Sequence, residues 1–91
     1  MNKNEILNKL YNEKLNVDEL LNLYNEMKQG TFDEFDYKVI KDYINDYIIS
    51  VKSLEGLKEL KRKFKKNRYN TNFVNELISR YKDINEKDLS F

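Results

Sequence analysis

The sequence predicts an all-α protein, a small bundle of four to five short helices with a central amphipathic helix at about 32–51. Three observations lead to this fold class. The 91-residue chain has no proline and only two glycines, so few positions oblige the backbone to leave a helix. Apolar residues recur at helical spacing in five segments. The β-favouring residues at 37–51 are interleaved with charges at the same spacing, which disfavours strands.

The first two helices are expected at about 3–14 and from Val17 onward. Asn16 is a favourable N-cap residue, and Glu19 follows it by three positions, which predicts a capping box. Gly30 is well placed as the C′ residue that ends the second helix. The apolar face of the second helix is Val17, Leu20, Leu21, Tyr24 and Met27.

The third helix is expected to open at Thr31, with Glu34 at the last position of a second capping box. Its apolar residues cover an arc of roughly 220° at 100° per residue. An arc of that width predicts packing against two or three neighbours. The residues of this arc are Phe35, Val39, Ile40, Tyr43, Ile44, Tyr47, Ile48 and Val51.

A fourth helix is expected at about 54–67 and a fifth at about 72–84, with Thr71 as its cap. Ser50 or Ser53 would separate the third helix from the fourth, although one continuous helix also fits the sequence. The polar tail 85–91 is expected to fray, unless Leu89 and Phe91 dock. The whole chain, 1–91, is predicted to be a single helical domain. The residues expected to be mostly buried are Leu21, Tyr24, Val39, Tyr43, Ile44, Ile48, Leu60, Phe64, Leu77 and Ile78.

The composition excludes several classes of chemistry. Cysteine and histidine are absent, which removes thiolate nucleophiles, zinc–sulfur sites and histidine-based catalysis. Two isolated glycines cannot form a phosphate-binding glycine loop. Any metal would have to be held by carboxylates alone. We therefore expect no catalytic residues, no cofactor and no metal, and a protein that is not an enzyme.

The compartment and origin of the chain can also be predicted. The first residues lack the apolar run of a secretory signal, and no stretch has the ~18 apolar residues of a membrane-spanning helix. A cytoplasmic protein without membrane contact is expected. Abundant Asn, Lys, Ile and Tyr, with no alanine, indicate an AT-rich genome. Phages and plasmids of low-GC bacteria are among the sources that fit.

Acidic residues gather on and around the third helix, at Asp33, Glu34, Asp36, Asp42 and Asp46. A solvated polar face is the simplest interpretation; the alternatives are a divalent-metal site, a carboxylate acid/base pair, or a contact with a basic groove on a partner. Tyrosine is common at protein interfaces, and the chain has seven. The candidate residues for a protein partner are Tyr37, Asp42, Asp46, Tyr47 and Tyr69.

The distribution of basic residues is the most distinctive feature of the sequence. Residues 51–70 carry eight Lys/Arg against two Asp/Glu, whereas residues 1–50 carry six against ten. Contact with phosphates is one interpretation; a solvated helix face whose cations complement the helix dipole is the other. The fourth and fifth helices also have the length and order of a helix-turn-helix. The candidate residues for nucleic acid or another anionic partner are Lys58, Lys61, Arg62, Lys65, Lys66 and Arg68.

These observations favour a non-enzymatic helical binding protein that acts through protein–protein interaction, with another protein or with a second copy of itself. A small phage- or plasmid-encoded inhibitor or adaptor fits the size and composition. The alternative is a nucleic-acid-binding regulator that uses the basic helix at 58–69.

Overall fold

The computed structural model describes the backbone of residues 1–89 and the side chains of residues 1–84. This part of the chain is helical and contains no strand, which confirms the all-α prediction. The five helices are α1 (Lys3–Asn12), α2 (Val17–Met27), α3 (Glu34–Ser50), α4 (Leu54–Lys66) and α5 (Asn72–Leu89).

The chain forms two compact units. The N-terminal unit is residues 1–47, with α1, α2 and most of α3; the C-terminal unit begins at Ile48 and contains α4 and α5. Each is described by itself below. That the chain as a whole is one domain stays a prediction.

Side-chain caps fix the starts of α2 and α4, as the sequence indicates. The Asn16 side chain accepts a hydrogen bond from the Glu19 N–H at 2.9 Å, and the Glu19 carboxylate accepts one from the Asn16 N–H at 3.1 Å. This is the predicted capping box. The Ser53 hydroxyl accepts from the Gly56 N–H at 3.0 Å. The third and fourth helices are therefore separate, and Ser53 rather than Ser50 begins the fourth.

The predicted boundary between α2 and α3 is wrong in two respects. Thr31 does not open α3, because the Asp33 carbonyl accepts the first backbone hydrogen bonds, from Asp36 and Tyr37. The helix accordingly begins at Glu34. Gly30 is not in the left-handed region, and Lys28 is the C-cap of α2. The capping-box pattern at 31–34 therefore does not start the helix. Asp36 and Tyr37, in the first turn of α3, bond instead to Tyr11 of α1 and Met27 of α2.

The end of α4 contains the single non-glycine residue with positive φ in the described part of the chain. Arg68 has φ 57° and follows the C-cap residue Asn67. The Arg68 N–H bonds to the Lys65 carbonyl at 3.1 Å, and the Tyr69 N–H bonds to the Phe64 carbonyl at 2.8 Å. This pair of bonds defines a Schellman motif, in which the left-handed position is usually glycine.

The fifth helix is longer than predicted, because it continues past residue 84 to Leu89. The docking considered for Leu89 and Phe91 concerns side chains outside the described residues. Within the described residues, no helix has the length and apolar character that crossing a membrane requires.

Six of the ten predicted core residues are buried: Leu21, Ile44, Ile48, Leu60, Phe64 and Ile78. Tyr24, Val39 and Leu77 are half-buried. Tyr43 is 41% exposed and Phe35 is 67% exposed, so both are wrongly assigned to an inward-facing arc. The fully buried apolar residues of α3 are Ile40, Ile44 and Ile48, spaced four apart. The buried stripe is narrow, and the aromatic residues beside it are left near solvent.

Candidate functional site

Two tyrosine hydroxyls fix the start of α3 within the N-terminal unit. The Tyr11 hydroxyl on α1 donates a hydrogen bond to the Asp36 carboxylate, which is only 9% exposed. The Tyr37 hydroxyl donates to the Met27 carbonyl at the end of α2, at 2.9 Å. The assignment of Asp36 to a solvated acidic face is therefore wrong. A buried carboxylate requires a hydrogen-bond donor, and Tyr11 provides it from a distant position in the sequence.

The contact with Asp36 also changes the acidity of Tyr11. The hydrogen bond to Asp36 holds the phenol in its protonated form, and partial burial and nearby negative charge act in the same direction. Together they raise the pKa of Tyr11 from 10.0 to about 12. The phenol therefore keeps its proton at neutral pH and can continue to donate to the carboxylate.

The side of α3 that carries Asp36 also carries two tyrosines. Tyr43 and Tyr47 lie seven and eleven positions after Asp36, so all three residues share one side of α3. This side borders a cleft of about 310 Å³ in the N-terminal unit, which we call the tyrosine cleft. Its lining residues are Leu10, Glu13, Lys14, Leu15, Leu20, Tyr43, Asp46 and Tyr47.

The tyrosine cleft has an apolar floor and a polar rim. Leu10 and Leu20 are buried, at 1% and 4% exposure, whereas Tyr43 and Tyr47 are 41% and 37% exposed. The charges at the rim are two carboxylates and one ammonium group, from Glu13, Asp46 and Lys14. Such a cleft can accept an apolar side chain and place a basic group next to the carboxylates.

The other residues predicted for a protein partner lie elsewhere. Tyr37 is used in the contact with Met27, and Asp42 forms an exposed ion pair with Lys38 at 3.4 Å. Tyr69 is half-buried and packs edge-on against Phe64, with ring centroids 5.0 Å apart. Of the predicted set, Asp46 and Tyr47 line the tyrosine cleft, whereas Tyr37 and Asp42 lie together at a second cleft of the N-terminal unit.

The C-terminal unit presents the basic face of α4. The apolar side of this helix is buried through Leu57, Leu60 and Phe64. The remaining sides of this helix and the turn after it carry the predicted cations, which we call the basic face: Lys58, Lys61, Arg62, Lys65, Lys66 and Arg68. Arg62, Lys65, Lys66 and Arg68 are exposed, and Lys58 and Lys61 are half-buried. Among residues with described side chains, none of these six cations forms an ion pair or a side-chain hydrogen bond.

The face of α5 that a helix-turn-helix would use is less suited to nucleic acid. Arg80 is paired with Glu76 on the same helix, so their charges cancel. The Asn75 side chain donates to the Thr71 hydroxyl at 3.3 Å. Two of the polar groups in the best position to read bases are thus occupied locally. In the described part of the chain, no three carboxylates lie close enough together to hold a metal ion.

The amino-acid sequence predicts only part of the tyrosine cleft, namely Asp46 and Tyr47. Periodicity assigns Tyr43 to the core and Leu20 to the apolar face of the second helix. The available signal is the spacing of Tyr43 and Tyr47, four residues apart, which places two amphipathic rings side by side on a helix. The floor depends on how α1 and α2 pack, which periodicity does not reveal.

No family model matches this chain, and no curated protein or solved structure shows significant similarity to it.

Proposed function

We propose that this chain is a non-enzymatic binding protein that captures a segment of another protein in the tyrosine cleft. The observation that carries the proposal is the pair of exposed tyrosines, Tyr43 and Tyr47, beside a buried leucine floor. Tyrosine is enriched among residues that dominate binding energy, because its ring is large and rigid and its hydroxyl can remain hydrated. An inhibitor or adaptor encoded by a mobile genetic element would act in this way.

The size of the cleft limits what can enter it. A volume of about 310 Å³ lies at the small end of the ligand-site range of about 300–1,000 Å³. It suits one or two apolar side chains presented on a helix or an extended segment. The two tyrosine rings would then cover the inserted group and exclude water from the contact.

The charge around the cleft favours a basic partner. Residues 1–50 carry ten acidic against six basic side chains, and Glu13 and Asp46 lie at the rim itself. A partner segment with an apolar anchor and a neighbouring Lys or Arg would be attracted to this surface. We therefore infer an amphipathic basic segment as the occupant.

Site-specific photo-crosslinking in extract of the native host tests the proposal. A photoreactive phenylalanine analogue would replace Tyr43 or Tyr47, with the same replacement at Phe35 as a matched control on the same helix. Phe35 is more exposed than either tyrosine and does not line the cleft. We expect the cleft positions to crosslink to one protein in nuclease-treated extract, and the Phe35 position to give no such product.

Binding of the purified partner then tests the inferred chemistry. Tyr47→Ala should weaken affinity by about 30-fold, which corresponds to the 2 kcal/mol of an interface hot spot. Asp46→Lys should also weaken it, whereas Asp42→Lys, one helical turn away and outside the cleft, should not. Equal effects of the two charge reversals would contradict the assignment of the cleft. A second copy of this chain as the crosslinked product would replace the heterologous partner by a homodimer.

A further inference from the structure

We propose that the basic face of α4 is a second binding site, which docks on the phosphate backbone of duplex nucleic acid without reading its sequence. The site lies wholly within the C-terminal unit and uses none of the residues of the tyrosine cleft. It goes beyond the proposed function, because it gives the protein a second ligand of a different class.

The charge of this face increases along the helix. The only acidic residues between 51 and 70 are Glu55 and Glu59, both in the first half of α4. From residue 60 to residue 70 every charged side chain is a cation. The end of α4 and the turn after it therefore present positive charge alone.

Neighbours within the described residues do not neutralise these cations. Elsewhere on the surface, Lys38 pairs with Asp42 and Arg80 pairs with Glu76, each four residues apart. On the basic face the residues four apart are instead of like charge, as in Lys58–Arg62–Lys66 and Lys61–Lys65. Repulsion between like charges at this spacing destabilises a helix. An anionic ligand would offset this repulsion between the cations, because its negative charges attract each of them.

Hydrogen-bond capping of the helix end does not account for the cations. At the end of α3, Lys52 donates to the Ile49 carbonyl at 3.3 Å and so serves a structural role. At the end of α4, the carbonyls of Phe64 and Lys65 accept from the N–H groups of the Schellman motif instead. The Asn67 side chain donates to the Lys63 carbonyl at 2.8 Å. Within the described part of the chain, the six cations of the basic face are not used as caps.

The turn after α4 adds a further cation in an unfavourable backbone conformation. Arg68 occupies the left-handed position of the Schellman motif, where glycine or asparagine is preferred. The side chain is exposed and extends the basic face beyond the last turn of the helix. A residue that destabilises the turn yet supplies a guanidinium group is consistent with selection for binding.

The geometry favours a duplex backbone over single strands. Lys58 and Lys66 are eight residues apart, which is about 12 Å along the helix axis. Over that length a duplex presents about seven phosphate charges. Stacking on unpaired bases needs exposed aromatic rings, but Phe64 is fully buried and Tyr69 packs against it.

The site is not expected to distinguish sequences. Four of its six cations are lysines, which act as point charges and lack the bidentate geometry that recognises guanine. The neighbouring face of α5 carries the Arg80–Glu76 pair, whose charges cancel. Contacts with phosphate position a protein on a duplex but carry no sequence information.

Titration of a fluorescent 20-base-pair DNA duplex with the full chain, at 50 and 200 mM salt, tests the proposal. Six phosphate contacts predict a slope of about −5 for log affinity against log salt, so that affinity falls about 1,000-fold over this range. Two duplexes of unrelated sequence should bind equally. The triple variant Arg62→Gln, Lys65→Gln and Lys66→Gln should reduce the slope to about half.

A charge-matched control separates the basic face from general electrostatic attraction. The variant Lys3→Gln, Lys28→Gln and Lys38→Gln removes the same charge from exposed positions of the N-terminal unit outside the tyrosine cleft and should leave the slope unchanged. Arg68→Gly should weaken binding without lowering the thermal midpoint, which excludes unfolding as the cause.

Several results would overturn the proposal. Absence of binding at 50 mM salt would do so, because the electrostatic contribution is then large. Equal losses in the two triple variants, tighter binding of single strands than of duplex, or stronger binding to anionic lipid vesicles would do so as well. None of these results bears on the tyrosine cleft, which the crosslinking experiment tests separately.

Discussion

The two units of this chain are both helical, yet they are stabilised by different kinds of polar contact. In the N-terminal unit, side chains join one helix to another, as when Tyr11 donates to Asp36 and Tyr37 donates to Met27. In the C-terminal unit, most of the described polar contacts are local, such as the caps made by Ser53 and by the turn at 67–69, and one tyrosine, Tyr81, donates to the distant Lys52 carbonyl.

In each unit, the polar contacts just described and the proposed binding surface lie at different residues. In the N-terminal unit, Tyr11 and Tyr37 bond between helices, whereas Tyr43 and Tyr47 line the tyrosine cleft. In the C-terminal unit, backbone groups and Asn67 cap the end of α4, and the side chains of the six cations of the basic face take no part in this capping.

The largest expected effect comes from removing a buried side chain of either unit. Phe64→Ala should lower the free energy of unfolding by about 3–5 kcal/mol, and Ile44→Ala by about 2–5 kcal/mol, because both side chains are fully buried. Denaturant unfolding followed by circular dichroism measures both. Phe35→Ala, at a 67% exposed position, is the control and should change stability by less than about 0.5 kcal/mol. A parental midpoint for Ile44→Ala would show that the stripe of α3 is wrongly assigned.

A smaller effect is expected at the tyrosine contact that characterises the N-terminal unit. Tyr11→Phe leaves the Asp36 carboxylate without its donor and should lower stability by about 1–3 kcal/mol at pH 7. The pKa of Tyr11 is about 12 in the folded protein and about 10 when unfolded. Since the folded value is the higher one, the contribution is complete below pH 10 and is lost as the pH rises towards 12.

Unfolding of the parent and of Tyr11→Phe across pH 8–12 measures this dependence, and the difference in stability should shrink above pH 10. Tyr37→Phe is the matched control for loss of an interhelical tyrosine hydroxyl, because that hydroxyl donates to the uncharged Met27 carbonyl rather than to a carboxylate. A constant difference between the parent and Tyr11→Phe would show that Tyr11 does not bond to Asp36.

The smallest expected effect is a gain in stability, at the turn after α4 in the C-terminal unit. Arg68→Gly should raise stability by about 1 kcal/mol, because glycine adopts the left-handed conformation without the steric penalty of a side chain. The same substitution at Arg62, within α4, should lower stability by about 1 kcal/mol. Thermal unfolding of the two variants compares them directly. A loss at both positions would mean that Arg68 does not occupy the left-handed region.

The sequence by itself determined the features that depend on nearby residues. The all-α class, the capping box of Asn16 and Glu19, and the basic side of α4 could be predicted because spacing within one helix defines them. The same local reasoning failed at Thr31 and Gly30, where the pattern for a cap is present but the backbone does not adopt it.

Only the tertiary structure decided which side chains are buried and which meet solvent. Asp36 belongs by sequence to an acidic surface, and it is buried because Tyr11, twenty-five positions away, donates to it. Tyr43 belongs by periodicity to the core. In the structure, the buried side of α3 is the narrow stripe that contains Ile40 and Ile44, and the ring of Tyr43 lies at the rim of the cleft. Periodicity specifies which residues share a side of a helix, whereas burial depends on the neighbouring helix that covers that side.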